Sequence, residues 1–524
     1  MRNSFRLFTI ALALGTAAFA VTPDANAFCG FYVSGADAKL FNNATIVVLM
    51  REGTRTVLSM QNNYQGPPQD FAMVVPVPVV LNESNVKTLP NDVFARVDKL
   101  AAPRLVEYWE QDPCHPVRDM EVLRSVSVVE SVGETDDVEV AEKHGVKIES
   151  RFSVGEYNVL ILSAKDSLGL DTFLRSQRYQ IPAGAEPYLR PYVAQGSKFF
   201  VAKVDAKKVK FENGQAMLSP LRFHYDSESF SLPVRLGLIN SAGTQDLIVH
   251  ILARTRFEVA NYENFAIPTN IRVNETVKAG FGTFYASLFD KVLAKHPRAV
   301  ITEYAWSAGS CDPCPEPPLN VSDLATLGVD ALPGYEGAKE APPEIANAFT
   351  LTRLHARYDA NALGEDLVFR AAPGIMGGNG IPDPEGKMTR GAQPAGYNMF
   401  QGRYVMLHPW EGEVKCEHPQ RGLWGGPIKE VAGPPLVANN TAFVPRGAQL
   451  ASFLQANESE SESSDDAKLP TGPVNDVPPL PPPMNRGCGA CAVTDTHAGV
   501  GAFVSVALAG FAALGRRARR RSAR

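Results

Sequence analysis

The spacing of two cysteines is the clearest indication of chemistry in this chain. Residues 311–315 read Cys-Asp-Pro-Cys-Pro, which leaves two residues between Cys311 and Cys314. A dithiol with this spacing can cycle between reduced and oxidised forms, and it gains thiolate character at the N-terminus of a helix. The prolines that follow Cys314 predict a loop here instead of a long helix. We therefore expect structural disulfide pairing, with thiol-redox chemistry as the alternative.

Five cysteines lie in the part of the chain that we expect to fold. All are candidates for structural disulfides: Cys29, Cys114, Cys311, Cys314 and Cys416. An odd number leaves at least one free or paired elsewhere, and the sequence does not give the connectivity. A zinc site built from Cys311, Cys314, Cys416 and His418 is the metal alternative, because zinc binds thiolate and imidazole ligands. Such sites are more usual in reducing compartments, so we predict no metal and no cofactor.

No other motif indicates catalysis. Cys114 and His115 are flanked by prolines, and a Cys–His nucleophile needs a spatial pairing that neighbours in sequence rarely supply. The chain contains no Gly-x-Ser-x-Gly, no His-Glu-x-x-His and no P-loop. We predict no catalytic residue, and we expect a binding or scaffolding protein more than an enzyme.

Composition sets the broad class. Of 524 residues, 45% are hydrophobic and 20% are charged, as in globular proteins. The net charge of -5 and the lack of a basic stripe argue against nucleic-acid binding.

Hydrophobic periodicity predicts the elements that position these residues. Residues 45–50 and 56–61 form a hairpin, and residues 71–78 form a strand that two prolines should place at a sheet edge. Helices are expected from Asn91 and over 281–293, where one apolar face should pack on a sheet. Residues 151–204 read as strand, helix, helix, strand. The sequence therefore predicts an α+β fold, a mostly antiparallel β-sheet body with a few packed amphipathic helices.

Changes in composition divide the chain into segments. Residues 458–466 are rich in Ser, Glu and Asp and residues 470–483 are rich in Pro, so neither should fold alone. The expected segments are a signal peptide (1–27), a β-rich region (28–150), an α+β region (151–372), a Gly/Pro-rich, loop-rich wrap (373–455), a disordered stalk (456–487) and a tail (488–524).

The N-terminus is typical of a secretory signal. Arg2 and Arg6 precede an apolar stretch at 7–21. A small-x-small cleavage site follows, and it places the cut between Ala27 and Phe28. Signal peptidase is therefore an expected partner, and export would put the cysteines in an oxidising compartment.

The C-terminal tail predicts a membrane anchor. Residues 498–515 carry no charge, and as a transmembrane helix they would span roughly 27 Å. Six arginines follow, which favours a cytoplasmic end and an extracytoplasmic body. Cys488 and Cys491 precede the apolar run, so they are candidates for sorting or lipidation.

The order of cysteine motif, apolar helix and arginine cluster resembles the MYXO-CTERM sorting tails of myxobacterial surface proteins. That resemblance implies cleavage near the cysteines by a sorting protease and attachment to the bacterial envelope, at the cell surface or outer membrane. The alternative is a permanent membrane anchor.

Strings in the body resemble an uncharacterised bacterial family, domain of unknown function 2330. They lie at 29–33, 71–78, 102–108, 180–187, 303–306, 311–314 and 351–355. The resemblance implies an exported envelope protein and carries no activity, ligand or catalytic residue. We expect an envelope- or surface-anchored protein that binds or scaffolds an unknown partner. The alternative is an extracytoplasmic thiol-redox or metal-dependent enzyme that uses Cys311 and Cys314.

Overall fold

The β-branched runs of the sequence form strands in the computed structural model of the chain. The structure describes residues 31–33, 41–42, 45–61, 64–65, 72–115, 145–177, 179, 181, 184–212, 215–240, 245–336, 341–358, 364–427, 433–439, 441, 444–456, 458, 468–470, 474 and 479–483.

The strands are β1 (Phe31–Val33), β2 (Phe41–Asn42), β3 (Thr45–Glu52), β4 (Arg55–Met60), β5 (Tyr64–Gln65), β6 (Ala72–Val77), β7 (Val86–Thr88), β8 (Arg104–Glu110), β9 (Val146–Val154), β10 (Tyr157–Ala164), β11 (Lys198–Val204), β12 (Lys210–Glu212), β13 (Gln215–Met217), β14 (Leu221–Asp226), β15 (Ser231–Leu232), β16 (Gln245–Ala253), β17 (Phe257–Val259), β18 (Asn264–Ala266), β19 (Ile271–Arg272), β20 (Val300–Ser307), β21 (Thr350–Tyr358), β22 (Leu367–Ala371), β23 (Ile375–Gly377), β24 (Gln393–Pro394), β25 (Met399–Gln401), β26 (Arg403–His408), β27 (Trp424–Gly425) and β28 (Leu436–Val437). The α-helices are α1 (Asp92–Ala101), α2 (Ser167–Ser176), α3 (Glu186–Ala194), α4 (Phe281–Lys295) and α5 (Val321–Leu327).

The central sheet is built around the predicted hairpin. β3 and β4 pair antiparallel, and Gly53 takes the left-handed conformation that their tight turn needs (φ 55°). The strand order is β24-β23-β25-β20-β21-β16-β3-β4-β14-β7, and β18 pairs with β20. The β16–β3 and β18–β20 pairs are parallel, and the β16–β21 and β20–β21 pairs are antiparallel.

A second sheet packs on one face of the central sheet. Its order is β1-β6-β11-β10-β9, and the two inner faces share one apolar core. The predicted edge position of β6 is wrong, because β6 lies between β1 and β11. Pro76 lies within β6 and stands in register with Phe199 of β11, whereas β1 pairs only with Ala72 to Val74 on the other side. β6 ends at Val77, before Pro78.

Helices cover the remaining sheet faces because each buries one apolar stripe. α2 and α3 contribute to the core on the outer side of the second sheet. α1 and α5 pack on the other face of the central sheet. α4 packs between the central sheet and a third sheet, which has the order β19-β26-β8-β27 with β28 beside β8. The prediction that residues 281–293 bury an apolar face is confirmed.

The predicted wrap is part of the folded body. β25 pairs with β20 in the central sheet, and β26 runs parallel to β8 in the third sheet. The described residues up to Pro483 belong to one compact unit, and the expected boundary at residue 150 lies within β9. Parts of the predicted stalk also contact the body: the Glu458 side chain is 1% exposed against Arg272, and Leu469 joins the α4 core.

The fold is α+β with mostly antiparallel sheets, as predicted. No helix within the described residues has the length and apolar character needed to cross a membrane. The predicted signal peptide with Ala27 and Phe28, the transmembrane helix 498–515, and Cys29, Cys488 and Cys491 lie outside the described residues.

Candidate functional site

A row of charged side chains crosses the interior face of the central sheet. Arg353, His355 and Arg357 alternate along β21, so their side chains share one face. Asp246 of β16 stands opposite Arg357 in the register. α1 and α4 cover this face and bury the charged side chains. Charged residues at alternate positions of a strand would otherwise be expected to face solvent.

Glu303 is at the centre of the network. The register between β20 and β21 shifts between Thr302 and Tyr304, and this bulge directs the Glu303 carboxylate towards β21. One oxygen lies 2.6 Å from Arg353 Nε and the other 2.6 Å from His355 Nδ1. The Tyr285 hydroxyl of α4 also donates a hydrogen bond to the carboxylate. The side chains of Glu303, Arg353 and His355 are 0% exposed.

The network favours ionised side chains. Burial alone would raise the pKa of Glu303, but the charges of His355 and Arg353 outweigh it and lower that pKa to about 2. Burial alone would lower the pKa of His355, yet Glu303 and Asp246 raise it above its ordinary value. His355 therefore lies between two carboxylates that favour its protonated form, and its ring stacks on Phe289 at 3.8 Å.

Further charge pairs close both ends of the row. At one end, Arg353 Nη1 lies 2.6 Å from Asp98 of α1. At the other end, Arg357 Nε lies 2.7 Å from Asp246. Arg446, from the wrap, binds both Asp246 and Asp290 of α4. The network thus joins the sheet, two helices and the wrap.

This network has the residue types of an acid–base site, but it is sealed. Its central side chains have no exposed surface, and each carboxylate is already held by cations, so a substrate cannot reach them. Sequence analysis did not select these residues. The alternation of Arg353, His355 and Arg357 on one strand face was the available signal, and the strings at 303–306 and 351–355 contain three of the network's members.

The four described cysteines lie in two pairs at disulfide distance, Cys114 with Cys416 and Cys311 with Cys314. This supports the prediction of disulfides. Sulfurs in disulfides offer no thiolate ligand for the zinc alternative, and no group of three or more metal-ligating side chains occurs in the described part of the chain. Cys114 likewise has no free thiol for His115 to activate.

The two bridges differ in what they constrain. Cys114–Cys416 joins residues 302 apart and ties the end of β8 to the wrap. Cys311–Cys314 joins residues three apart. Because the stabilisation by a disulfide grows with the length of the loop it closes, we expect about 2–5 kcal/mol from the first and less than about 2 kcal/mol from the second. The long-range bridge is therefore the structural brace.

The loop around Cys311 and Cys314 is held from below by two other strands. Arg104 of β8 donates a hydrogen bond to the Pro313 carbonyl oxygen at 2.7 Å. Gln401 of β25 donates to the Asp312 carbonyl oxygen at 2.5 Å. Both donors are 0% exposed, whereas Cys314 is exposed. The loop therefore holds one exposed cysteine, Cys314, on a fixed backbone.

An open cavity of about 460 Å³ lies elsewhere on the surface. Its lining carries one acidic and one basic residue and a tyrosine: Ala260, Asn261, Tyr262, Glu263, Pro297 and Arg298. The Arg298 guanidinium lies over the Tyr262 ring at 5.9 Å from its centre, so the cation is already engaged. None of the residues selected from sequence lines this cavity.

Comparison with known proteins gives one match. A family model described as an uncharacterised protein conserved in bacteria, DUF2330, matches residues 23–370. The match includes Glu303, Arg353, His355 and the Cys311–Cys314 loop, but it ends before the wrap. No curated protein and no solved structure matches the chain significantly.

Proposed function

The chain belongs to the DUF2330 family, and from that premise we propose that it is an exported protein, anchored in the bacterial envelope or at the cell surface, that binds or scaffolds a partner. The order of segments at the two ends of the sequence carries this proposal. A basic, apolar, small-residue N-terminus and a cysteine–apolar–arginine C-terminus together indicate export followed by retention at a membrane.

The interior of the body supports binding over catalysis. The acid–base groups that the fold brings together, Glu303 and His355, are buried and neutralised by one another and by Arg353. Charge networks of this kind fix the relative positions of the elements they join. A body held in this way suits a surface that presents one fixed shape to a partner.

The long-range disulfide also suits an oxidising compartment. Cys114 and Cys416 are half-buried at the surface, where a reducing cytosol would compete with the bridge. Disulfides of this reach are common in exported proteins and rare in cytosolic ones.

Intact-mass and non-reduced peptide mass spectrometry on protein from native membranes tests export and anchoring. We expect a chain that starts at Phe28 and ends near Cys488 with added lipid mass. Cys488→Ser and Cys491→Ser form a matched pair, and only the variant at the processed cysteine should lose the lipid mass. A chain that retains residues 1–27 and is recovered in the cytosol would refute the proposal. An intact chain ending at Arg524 in the membrane would replace sorting with a permanent anchor.

Cross-linking in intact cells tests the binding role. We expect reproducible cross-links from the body to one envelope component. The same cross-links should be recovered from folded His355→Gln protein, which lacks the buried acid–base group. A robust hydrolytic activity of the purified body, lost in that variant, would contradict a binding role.

A further inference from the structure

We propose that the Cys311–Cys314 loop is a thiol–disulfide exchange site at which a protein dithiol attacks the sulfur of Cys314. This inference does not depend on the proposed envelope anchoring or on the binding role. It rests on three observations: the unequal exposure of the two sulfurs, the cations beneath the loop, and the small contribution of this bridge to the fold.

The two sulfurs differ in access. Cys314 is exposed, whereas Cys311 is half-buried and packs against the core formed with α1 and α5. Exchange requires that an incoming thiolate approach one sulfur in line with the S–S bond. Cys314 is therefore the attacked sulfur, and Cys311 is the leaving group held against the body.

Positive charge beneath the loop favours the thiolates that exchange produces. Arg104 and Arg403 are buried near one another, and both interact with the Asp312 carboxylate. Two guanidinium groups against one carboxylate leave a net positive charge under the loop. Cationic surroundings stabilise a thiolate and make a cysteine a better leaving group. The Arg104 hydrogen bond to the Pro313 carbonyl oxygen places one of these guanidinium groups against the loop backbone between the two cysteines.

The loop can open its disulfide without losing its backbone position. The bridge spans three residues, so it restrains little of the unfolded chain. The hydrogen bonds from Arg104 and Gln401 to the loop carbonyls do not involve the sulfurs. The long-range Cys114–Cys416 bridge provides an internal reference, because it is the covalent tie between the wrap and the segment after β8 and spans 302 residues.

The step balances with a dithiol partner. A partner thiolate attacks Cys314 Sγ, a mixed disulfide forms, the Cys311–Cys314 bond breaks, and Cys311 leaves with the electron pair and takes up a proton. The partner's second thiolate then attacks the partner's first sulfur, which is bonded to Cys314 in the mixed disulfide. This step forms the partner's disulfide and releases Cys314 as a thiolate. The partner dithiol is oxidised by two electrons and the loop is reduced. The reverse sequence with a partner disulfide restores the loop.

The test follows the reduction of each bridge in the folded full-length chain. The oxidised protein is treated with dithiothreitol, quenched with acid, alkylated, digested and analysed by mass spectrometry, with circular dichroism recorded in parallel. We expect Cys311–Cys314 to be reduced at least about tenfold faster than Cys114–Cys416, with the native spectrum retained. Reduction of both bridges together, only as the spectrum is lost, would overturn the proposal.

Three variants test the direction of attack and the role of charge. Cys311→Ser and Cys314→Ser each leave one thiol in the same loop, and oxidised glutathione is the probe. We expect Cys314 in the first variant to form the mixed disulfide at least about tenfold faster than Cys311 in the second. Asp312→Asn removes the opposing carboxylate and should speed loop reduction about threefold. Equal rates for the two single thiols, or a slower Asp312→Asn loop, would refute the assignment.

Discussion

The Glu303→Gln variant measures what the buried charge network contributes to the fold. The substitution keeps the size of the side chain and removes its charge. Arg353 keeps Asp98 as a partner at 2.6 Å, but His355 retains only Asp246, at 3.7 Å from its Nε2. Removing one partner from a buried ion pair typically costs about 3–5 kcal/mol, because the remaining charge stays buried.

The pKa of Glu303 gives an independent magnitude. A carboxyl whose pKa falls from 4.5 in the unfolded chain to about 2 in the fold contributes about 3 kcal/mol at neutral pH. Because this pKa is lowered on folding, the contribution is complete above pH 4.5 and is lost as the pH falls towards 2. His355 has a raised pKa, so its contribution is complete below its ordinary value of 6.5 and is lost as the pH rises through the folded value. The network is therefore strongest between about pH 4.5 and 6.5.

Urea denaturation followed by tryptophan fluorescence gives the free energy of unfolding across this range. We expect Glu303→Gln to lose about 3–5 kcal/mol at pH 6 and progressively less below pH 4.5. Glu413→Gln is the matched control, because its pair with Lys415 is about three-quarters exposed and should contribute at most about 1 kcal/mol. A Glu303→Gln loss equal to that of the control, or one that does not change with pH, would refute the reasoning.

Three other perturbations have expected outcomes. Cys114→Ser should lower the free energy of unfolding by about 2–5 kcal/mol and Cys311→Ser by less than about 2 kcal/mol, measured by urea denaturation, because their bridges close loops of very different length. Gly378→Ala should cost several times more than Gly380→Ala in thermal melts: both glycines have positive φ, but only at Gly378 would a Cβ collide with a neighbouring strand's backbone. Arg446→Met should speed limited proteolysis of the wrap, because it removes the guanidinium that binds two aspartates of the body, and an unchanged cleavage rate would contradict that anchoring role.

Local pattern predicted the elements well where burial follows hydrophobicity. The hairpin of β3 and β4 and the amphipathic helix α4 both come from runs whose periodicity is visible in the sequence. The error at β6 has a physical cause. A proline removes one ladder donor, on one side of the strand only. β11 pairs with β6 as far as Pro76 and Val77, while β1 pairs only with Ala72 to Val74 on the other side.

The charge network could not be predicted because its members are far apart in the chain. Asp98, Asp246, Glu303 and Arg353 meet only through the order of strands in the central sheet, and polar alternation on a single strand normally indicates a solvated face. The wrap was likewise assigned to loops because β25 and β26 are short and lie among glycines and prolines. These short segments become strands because they pair with the edges of β20 and β8. The local sequence of the wrap does not show those partners.

The parallel pairing of β8 with β26 has a consequence for the timing of folding. Arg104 lies in register with Arg403, so the third sheet joins segments almost 300 residues apart. Contacts of such long sequence separation form slowly, because the intervening chain loses the entropy of loop closure before the contact contributes any stabilising free energy. During synthesis, β8 waits as an unpaired edge until β26 emerges, and an unpaired edge is a site for association with other chains. We therefore expect the nascent chain to need protection from aggregation until about residue 408 is available, and we expect folding to end with the closure of this sheet.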